Sequence, residues 1–227
     1  MNRPLCVLRP EPGWSSTAAG AATLGIEVIG APLFAGEAVG WQPPDAAFDG
    51  LLIGSARVFE LGGDALACLR NLPVFAVGRA TADAAREAGF EVARTGIGNL
   101  QQLLGELTTE ELRLLRVTGE ENVALDPPKG IEMAEAVAYR MIAHPVSPKL
   151  AQQVQARSAI IALHSASAAR YWASECDRLG IARQLLVILA LSQRVAVAAG
   201  EGWGAVHIAD RPEDAVLLAK GNLLCKG

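Results

Sequence analysis

Eight short apolar runs, separated by alanine-rich stretches of helix length, set the architecture open to this chain. They lie at residues 5–8, 27–33, 50–53, 74–77, 114–117, 159–163, 186–189 and 205–208. Several are apolar at nearly every position, which is how a strand reads when both faces of its sheet are covered. Helical stretches such as 81–88 and 167–179 lie between them, and Gly89, Gly180 and Gly200 stand where helix-ending glycines are expected. The alternation predicts an α/β fold with parallel sheets. An apolar content of 51% supplies the side chains to cover them.

The chain also echoes itself. GLLIGSARVFE (50–60) resembles IIALHSASAAR (160–170), an apolar strand followed by a Ser-Ala turn that opens a helix. FAVGRATADAAREAG (75–89) resembles LALSQRVAVAAGEG (189–202) at a similar spacing. A separation of about 110 residues is too long for a solenoid and suits two related small domains. Chance likeness among alanine-rich helices is the alternative; the matching order of two successive units favours duplication. Two stretches, 29–41 and 136–148, read as connectors. The expected layout is a discontinuous domain one of residues 1–33 plus 147–227, an inserted domain two of residues 41–135, and connector strands at 34–40 and 136–146. Each domain is expected to be a small flavodoxin-like parallel sheet, with a ligand cleft between the lobes.

Composition narrows the function. The net charge is −4 and the basic residues are scattered, which argues against nucleic acid or an anionic membrane as partner. Cys6, Cys68, Cys176 and Cys225 are far apart with no CxxC pair, as in a reduced, cytoplasmic protein. His144, His164 and His207 are dispersed, so no metal site is expected. The N-terminal MNRPLCVLRP is unlike a secretory signal, and the most apolar stretch, 185–191, is too short to span a bilayer. The expectation is a soluble protein.

Ligands of parallel α/β sheets bind beyond the carboxyl ends of the strands. That rule points to the turns Gly54-Ser55-Ala56-Arg57, Gly78-Arg79-Ala80-Thr81, Thr118-Gly119-Glu120, His164-Ser165-Ala166-Ser167 and Ser192-Gln193-Arg194. They are built of small or hydroxyl residues, and most lead into a predicted helix, whose first N–H groups attract anions. Spread over two lobes, they suit a ligand with several anionic groups. Ser55, Thr81, Ser165 and Ser192 read equally well, one at a time, as helix caps. Arg9, Arg57, Arg79 and Arg194 at strand ends are candidates to pair with carboxylates, or solvated surface charges. No GxSxG elbow, Cys/His pairing or Walker motif is present. GIGNLQ (96–101) begins like a dinucleotide fingerprint but has Gln101 in place of the third glycine. An enzyme with this sequence would work without a conspicuous acid–base pair, metal or cofactor.

The same stretches resemble the uroporphyrinogen-III synthase family. The opening VLRPEPGWSSTAAGAATLGIEVIGAPLF, then FDGLLIGSARVFELGG and VFAVGRATADAAREAGF, match its sequence patterns in order, and VAYRM, LHSASAA and PEDAVLLA follow suit. The resemblance implies two α/β lobes on a two-stranded connector with the substrate between them, and a monomer without cofactor. It implies that hydroxymethylbilane, with eight carboxylates, is the substrate, cyclised with inversion of ring D through a spiro intermediate and loss of water. It further implies that Ser55, Arg57, Thr81 and Ser165 bind substrate and that Tyr139 assists hydroxyl departure; a packing tyrosine on a β-ladder is the plainer reading. With Arg9, Gly78, Gly119, Ser167, Ser192 and Arg194 from the turns and strand ends, these form the expected site. Gly54, Arg194 and Val195 depart from the family pattern. The rival readings are a non-catalytic bilobed binding module for a polyanion and a nucleotide-dependent enzyme.

Overall fold

The computed structural model describes residues 3–107 and 111–226; of the expected domain ranges, residues 1, 2, 108–110 and 227 lie outside the described residues. The chain divides into two compact units, Met1–Ala35 with Ala143–Gly227, and Gly36–Ile142. It opens with β1 (Leu5–Val7), α1 (Gly13–Thr23) and β2 (Val28–Ile29). A second sheet follows, built from β3 (Phe34–Ala38), β4 (Gly50–Ile53), β5 (Val74–Ala76), β6 (Val92–Thr95), β7 (Leu112–Gly119) and β8 (Ile131–Ala143). Helices α2 (Arg57–Leu61), α3 (Gly63–Ala67), α4 (Arg79–Glu87) and α5 (Leu100–Gly105) join its strands. The first sheet resumes with α6 (Pro148–Ala156), β9 (Ile160–Leu163), α7 (Ala166–Leu179), β10 (Val187–Ala190), α8 (Gln193–Ala199), β11 (Ala205–Ile208) and α9 (Asp214–Lys226).

The first sheet has the order β2-β1-β9-β10-β11, and all its pairings are parallel. Counted within the unit, this is the 2-1-3-4-5 order of flavodoxin-like folds. Alternate residues of β1 face opposite layers. Cys6 and Leu8 join a core with Trp172, Leu150 and Val195 from α7, α6 and α8; Leu5 and Val7 join another with Ala21, Leu217 and Leu218 from α1 and α9. A strand covered on both sides has no polar face to offer, which is why these runs carry no alternation.

The second sheet has the order β3-β8-β7-β4-β5-β6. The pairings of β4 with β5 and β7, β5 with β6, and β7 with β8 are parallel. Leu51, Ile53, Leu115 and Val117 face Val58, Leu66, Ala82 and Ala85 of α2, α3 and α4. Leu52 and Leu114 face Leu103 and Leu104 of α5. The two sheets share one pattern of strand positions: β8-β7-β4-β5-β6 occupies the places of β2-β1-β9-β10-β11. The sequence echo falls on equivalent pairs, β4–α2 with β9–α7 and β5–α4 with β10–α8.

Two elements differ from the sequence expectation. The run at 27–33 yields only β2, because Gly30 turns with φ +105 and packs its α-carbon against the Val7 backbone, where a side chain has no room. The edge strand β6 went unrecognised, its VART alternating in exposure. Residues 120–130 cross between the parallel strands β7 and β8 without a helix, where such crossovers are ordinarily helical. Among the described residues no helix is long and apolar enough to cross a membrane.

Candidate functional site

The chain reverses direction across the second sheet between β4 and β7. Beyond the carboxyl ends of those strands, where open α/β sheets bind ligands, lies a cavity of about 690 Å³. Its floor includes Ser55, Val77, Arg116, Thr118 and Tyr139, and its rim is formed by 98–101 and 121–125. The two rim segments are clasped together. Gln101 Nε2 donates to the Asp126 carbonyl (2.7 Å), and the Asp126 N–H donates to Gln101 Oε1 (2.8 Å). Gln101, which broke the glycine fingerprint, thus serves as a strap. Another depression, of about 480 Å³, opens at the amino ends of the strands by Asp49, Glu111 and Glu132. Its acidic lining and its position at the wrong end of the sheet make it a poor anion site.

Tyr139 reaches the cavity from β8, half-buried and packed against Gly119. A register shift after Thr118 sets Gly119 opposite Tyr139, and the Glu120 N–H donates to the Tyr139 carbonyl (2.9 Å). Ser55 Oγ accepts from the Arg57 N–H (3.3 Å), a turn-forming contact. Gly78 and Thr81 open α4 beyond the next strand and do not line this cavity. Thr81 is 5% exposed, so little of it is available to a ligand in this conformation. Arg57 is half-buried and likewise outside the lining.

In the first unit, Ser165, Ser167 and Arg194 converge on a cavity of about 450 Å³ between α7 and α8. Ser165 also caps α7, accepting from the Ala168 N–H (3.1 Å). Ser192 precedes α8 without a side-chain cap bond and lies outside this lining. A helix terminus favours an anion at α7, with 14 residues, and at α4, with nine. The effect is weak for α2 and α8, with five and seven, because so few aligned peptide dipoles sum to little. The Thr118-Gly119-Glu120 turn leads into no helix at all.

Arg9 stands at the β1/β9 reversal, already engaged. Its Nη1 donates to Thr17 Oγ1 (3.1 Å) and lies 3.3 Å from Asp214 Oδ1. Thr17 Oγ1 in turn donates to Asp214 Oδ2 (2.9 Å), and His164 Nε2 lies 2.8 Å from Asp214 Oδ1. Burial pushes the Asp214 carboxyl up, but the hydrogen bonds from His164 and Thr17 and the nearby charges of His164 and Arg9 outweigh it and hold it below its ordinary value. A ligand carboxylate at Arg9 would have to share the guanidinium with Asp214.

Sequence reasoning missed Arg116, 3% exposed on β7, and the rim residues Asn99, Asn122 and Gln101. Arg116 sits inside an otherwise apolar run, and that was the available signal. Among the described residues no group of His, Cys, Asp and Glu is placed to hold a metal ion.

The chain as a whole is similar to known proteins. The family model described as "Uroporphyrinogen-III synthase HemD" matches residues 15–219. A comparison with curated proteins finds no match. Among solved structures, the uroporphyrinogen-III synthetase of Helicobacter pylori is similar at 16% identity and a TM-score of 0.64, covering 98% of this chain and 99% of that one. A mutant uroporphyrinogen III synthase of the extremely thermophilic bacterium Thermus thermophilus is similar at 18% identity and a TM-score of 0.53, covering 99% and 100%. At such identities these likenesses speak for the fold.

Proposed function

The chain belongs to the uroporphyrinogen-III synthase family, and from that membership we propose how its residues share the work. The enzyme cyclises hydroxymethylbilane to uroporphyrinogen III, inverting ring D and releasing water, a step of porphyrin and haem biosynthesis. The observation that carries this conclusion is the family match across residues 15–219.

The substrate's hydroxyl leaves as water together with a pyrrole N–H proton, generating an azafulvene. The substituted α-carbon of ring D attacks its exocyclic methylene carbon and forms the spiro intermediate. The bond from ring D to its former bridge then breaks, and the ring recloses through its other α-carbon. The proton released there balances the one lost from nitrogen. Hydroxymethylbilane also closes unaided, to the type I isomer, so the protein's task is to hold a conformer in which the spiro route wins. That is catalysis by positioning and by electrostatics.

We assign Tyr139 to assist the departing hydroxyl, either by a hydrogen bond or by passing it the phenolic proton, which the pyrrole N–H proton then replaces. Its place on the cavity floor beside Thr118 supports this. Ser55, Arg57, Gly78, Thr81 and Gly119 of the second unit and Arg9, Ser165, Ser167, Ser192 and Arg194 of the first are assigned to the substrate's acid side chains. The cavities at Ser55 and at Ser165, Ser167 and Arg194 support that division. Residues 34–40 and 136–146 serve as the connectors between units. The enzyme acts as a cytoplasmic monomer without a cofactor, a reading supported by its dispersed cysteines and scattered basic residues. Ser55→Ala and Tyr139→Phe test the assignment: the type III formation rate should drop in both, and wild-type rates would remove both from the site.

A further inference from the structure

Arg116 is a charged side chain on a face of the second sheet that its neighbours make apolar. Leu114, two residues before it, and Leu52 on β4 pack beneath α5 on that face, and the backbone register pairs Leu52 with Arg116. The helix-free crossover at 120–130 packs Leu125 on the same apolar cluster and brings the Val123 carbonyl to the guanidinium. Arg116 Nη1 donates to Glu135 Oε1 (2.6 Å) on the adjoining strand, and Nη2 donates to the Val123 carbonyl (2.8 Å). Nε, also buried, has no hydrogen-bond partner among the described residues. A guanidinium carries five donors in a fixed fork, and burying one of them unpaired is unfavourable.

The residue, itself only 3% exposed, lines the 690 Å³ cavity with Thr118, Asn122, Asn99 and Tyr139, so a ligand reaches its Nε only as the rim at 121–125 gives way. Ligand pockets of this size hold compounds as large as a small drug, and a pyrrole with its two short acid chains is no larger. Glu135 is 41% exposed at its side chain, so water screens its hold on the arginine. Glu121, exposed at the rim, disfavours crowding a second anion beside the first.

We propose that this cavity is a subsite for one acid-substituted pyrrole ring of the substrate, and that Arg116 binds that ring's carboxylate through Nε and a terminal N–H. The inference rests on the synthase reading above. It adds a substrate-binding residue that lies outside the turns, on the strand itself. Tyr139, lining the same cavity, would then stand beside a ring whose position is fixed.

Steady-state kinetics with hydroxymethylbilane on Arg116→Met and Arg116→Lys, with unfolding temperatures measured in parallel, test the proposal. Loss of a charge-assisted hydrogen bond should raise KM about tenfold in Arg116→Met with type III still the main product. Lysine keeps the charge and its ion pair with Glu135 but has no Nε, so its KM should rise by a smaller factor. Should the Met variant not fold, the Lys variant decides by the same criterion. A wild-type KM in the folded variants, even with a lowered unfolding temperature, would reduce Arg116 to a cross-link between β7, β8 and the crossover and overturn the subsite. Wild-type protein that makes only type I at the blank rate would instead overturn the synthase reading, and the subsite with it.

Discussion

The ring of Tyr139 lies so close over Gly119 that a Cβ on that glycine would stand 2.7 Å from ring carbons Cε2 and Cζ and 3.0 Å from the phenol oxygen. The glycine is therefore a condition for the tyrosine's position on the cavity floor. Gly119→Ala should displace the ring and destabilise the fold by about 1–2 kcal/mol, as overpacking does. If the phenol acts on the departing hydroxyl, kcat should fall in Gly119→Ala about as far as in Tyr139→Phe. General acid assistance is worth roughly a hundredfold or more. Parallel kcat measurements decide. A fully active Gly119→Ala would show that the phenol's position is immaterial.

Thr81 poses a different case, being 5% exposed in the first turn of α4. We expect Thr81→Ala to lower turnover while leaving the far-UV circular dichroism unchanged. Loss of one hydrogen bond to a bound carboxylate sets the scale, about tenfold in kcat/KM. An unchanged kcat/KM would take Thr81 out of the site and leave it a packing residue.

Glu175 of α7 ties down the chain where it re-enters the first unit. It accepts from Arg178 Nε (2.7 Å) and Nη2 (2.6 Å) and from the Val146 N–H (2.6 Å). The Arg178 hydrogen bonds lower its carboxyl below the ordinary value of 4.5; burial opposes them, and the Val146 bond adds to them. A carboxyl depressed by folding stabilises the native state above its unfolded value, and that contribution is lost as pH falls through the folded value. The share due to Glu175 should thus persist at neutral pH and disappear below about pH 4.5. Glu175→Gln should unfold earlier at pH 7 and lose less stability on acidification. Identical acid profiles of wild type and variant would contradict this.

Gly180 ends α7 in the left-handed conformation, φ 63 and ψ 32, with open space where a side chain would go. Gly180→Ala should therefore cost about 1 kcal/mol from backbone strain alone. In urea the midpoint should shift without a change in slope. No shift would mean that the helix end relaxes freely.

The strands legible in the sequence are those buried on both faces, such as β1, β4 and β9, because unbroken apolar runs leave few alternatives. The edge strand β6 was not, since half of its VART faces solvent and no run results. The turns at Ser55 and Ser165 were visible as hydroxyl residues after such runs, and the structure brings Ser55 into one cavity with Tyr139. Arg116 was hidden for a physical reason. Its meaning depends on Glu135, 19 residues away on the neighbouring strand, and on a crossover that forms no helix. The same holds for Asp214, which meets Arg9, Thr17 and His164 only once α9 folds back to β1. Pairings between distant segments are set by the fold, and local residue patterns do not encode them.

Whether the protein directs ring closure is read from its product isomer ratio. Freshly generated hydroxymethylbilane is incubated with the purified protein and with a protein-free blank, and the oxidised products are separated into type I and type III uroporphyrins. Type III is expected as the main product, formed faster than the blank forms type I. Type I alone, at the blank rate, would contradict the synthase reading and leave a chain with the synthase fold that binds but does not direct the ring closure.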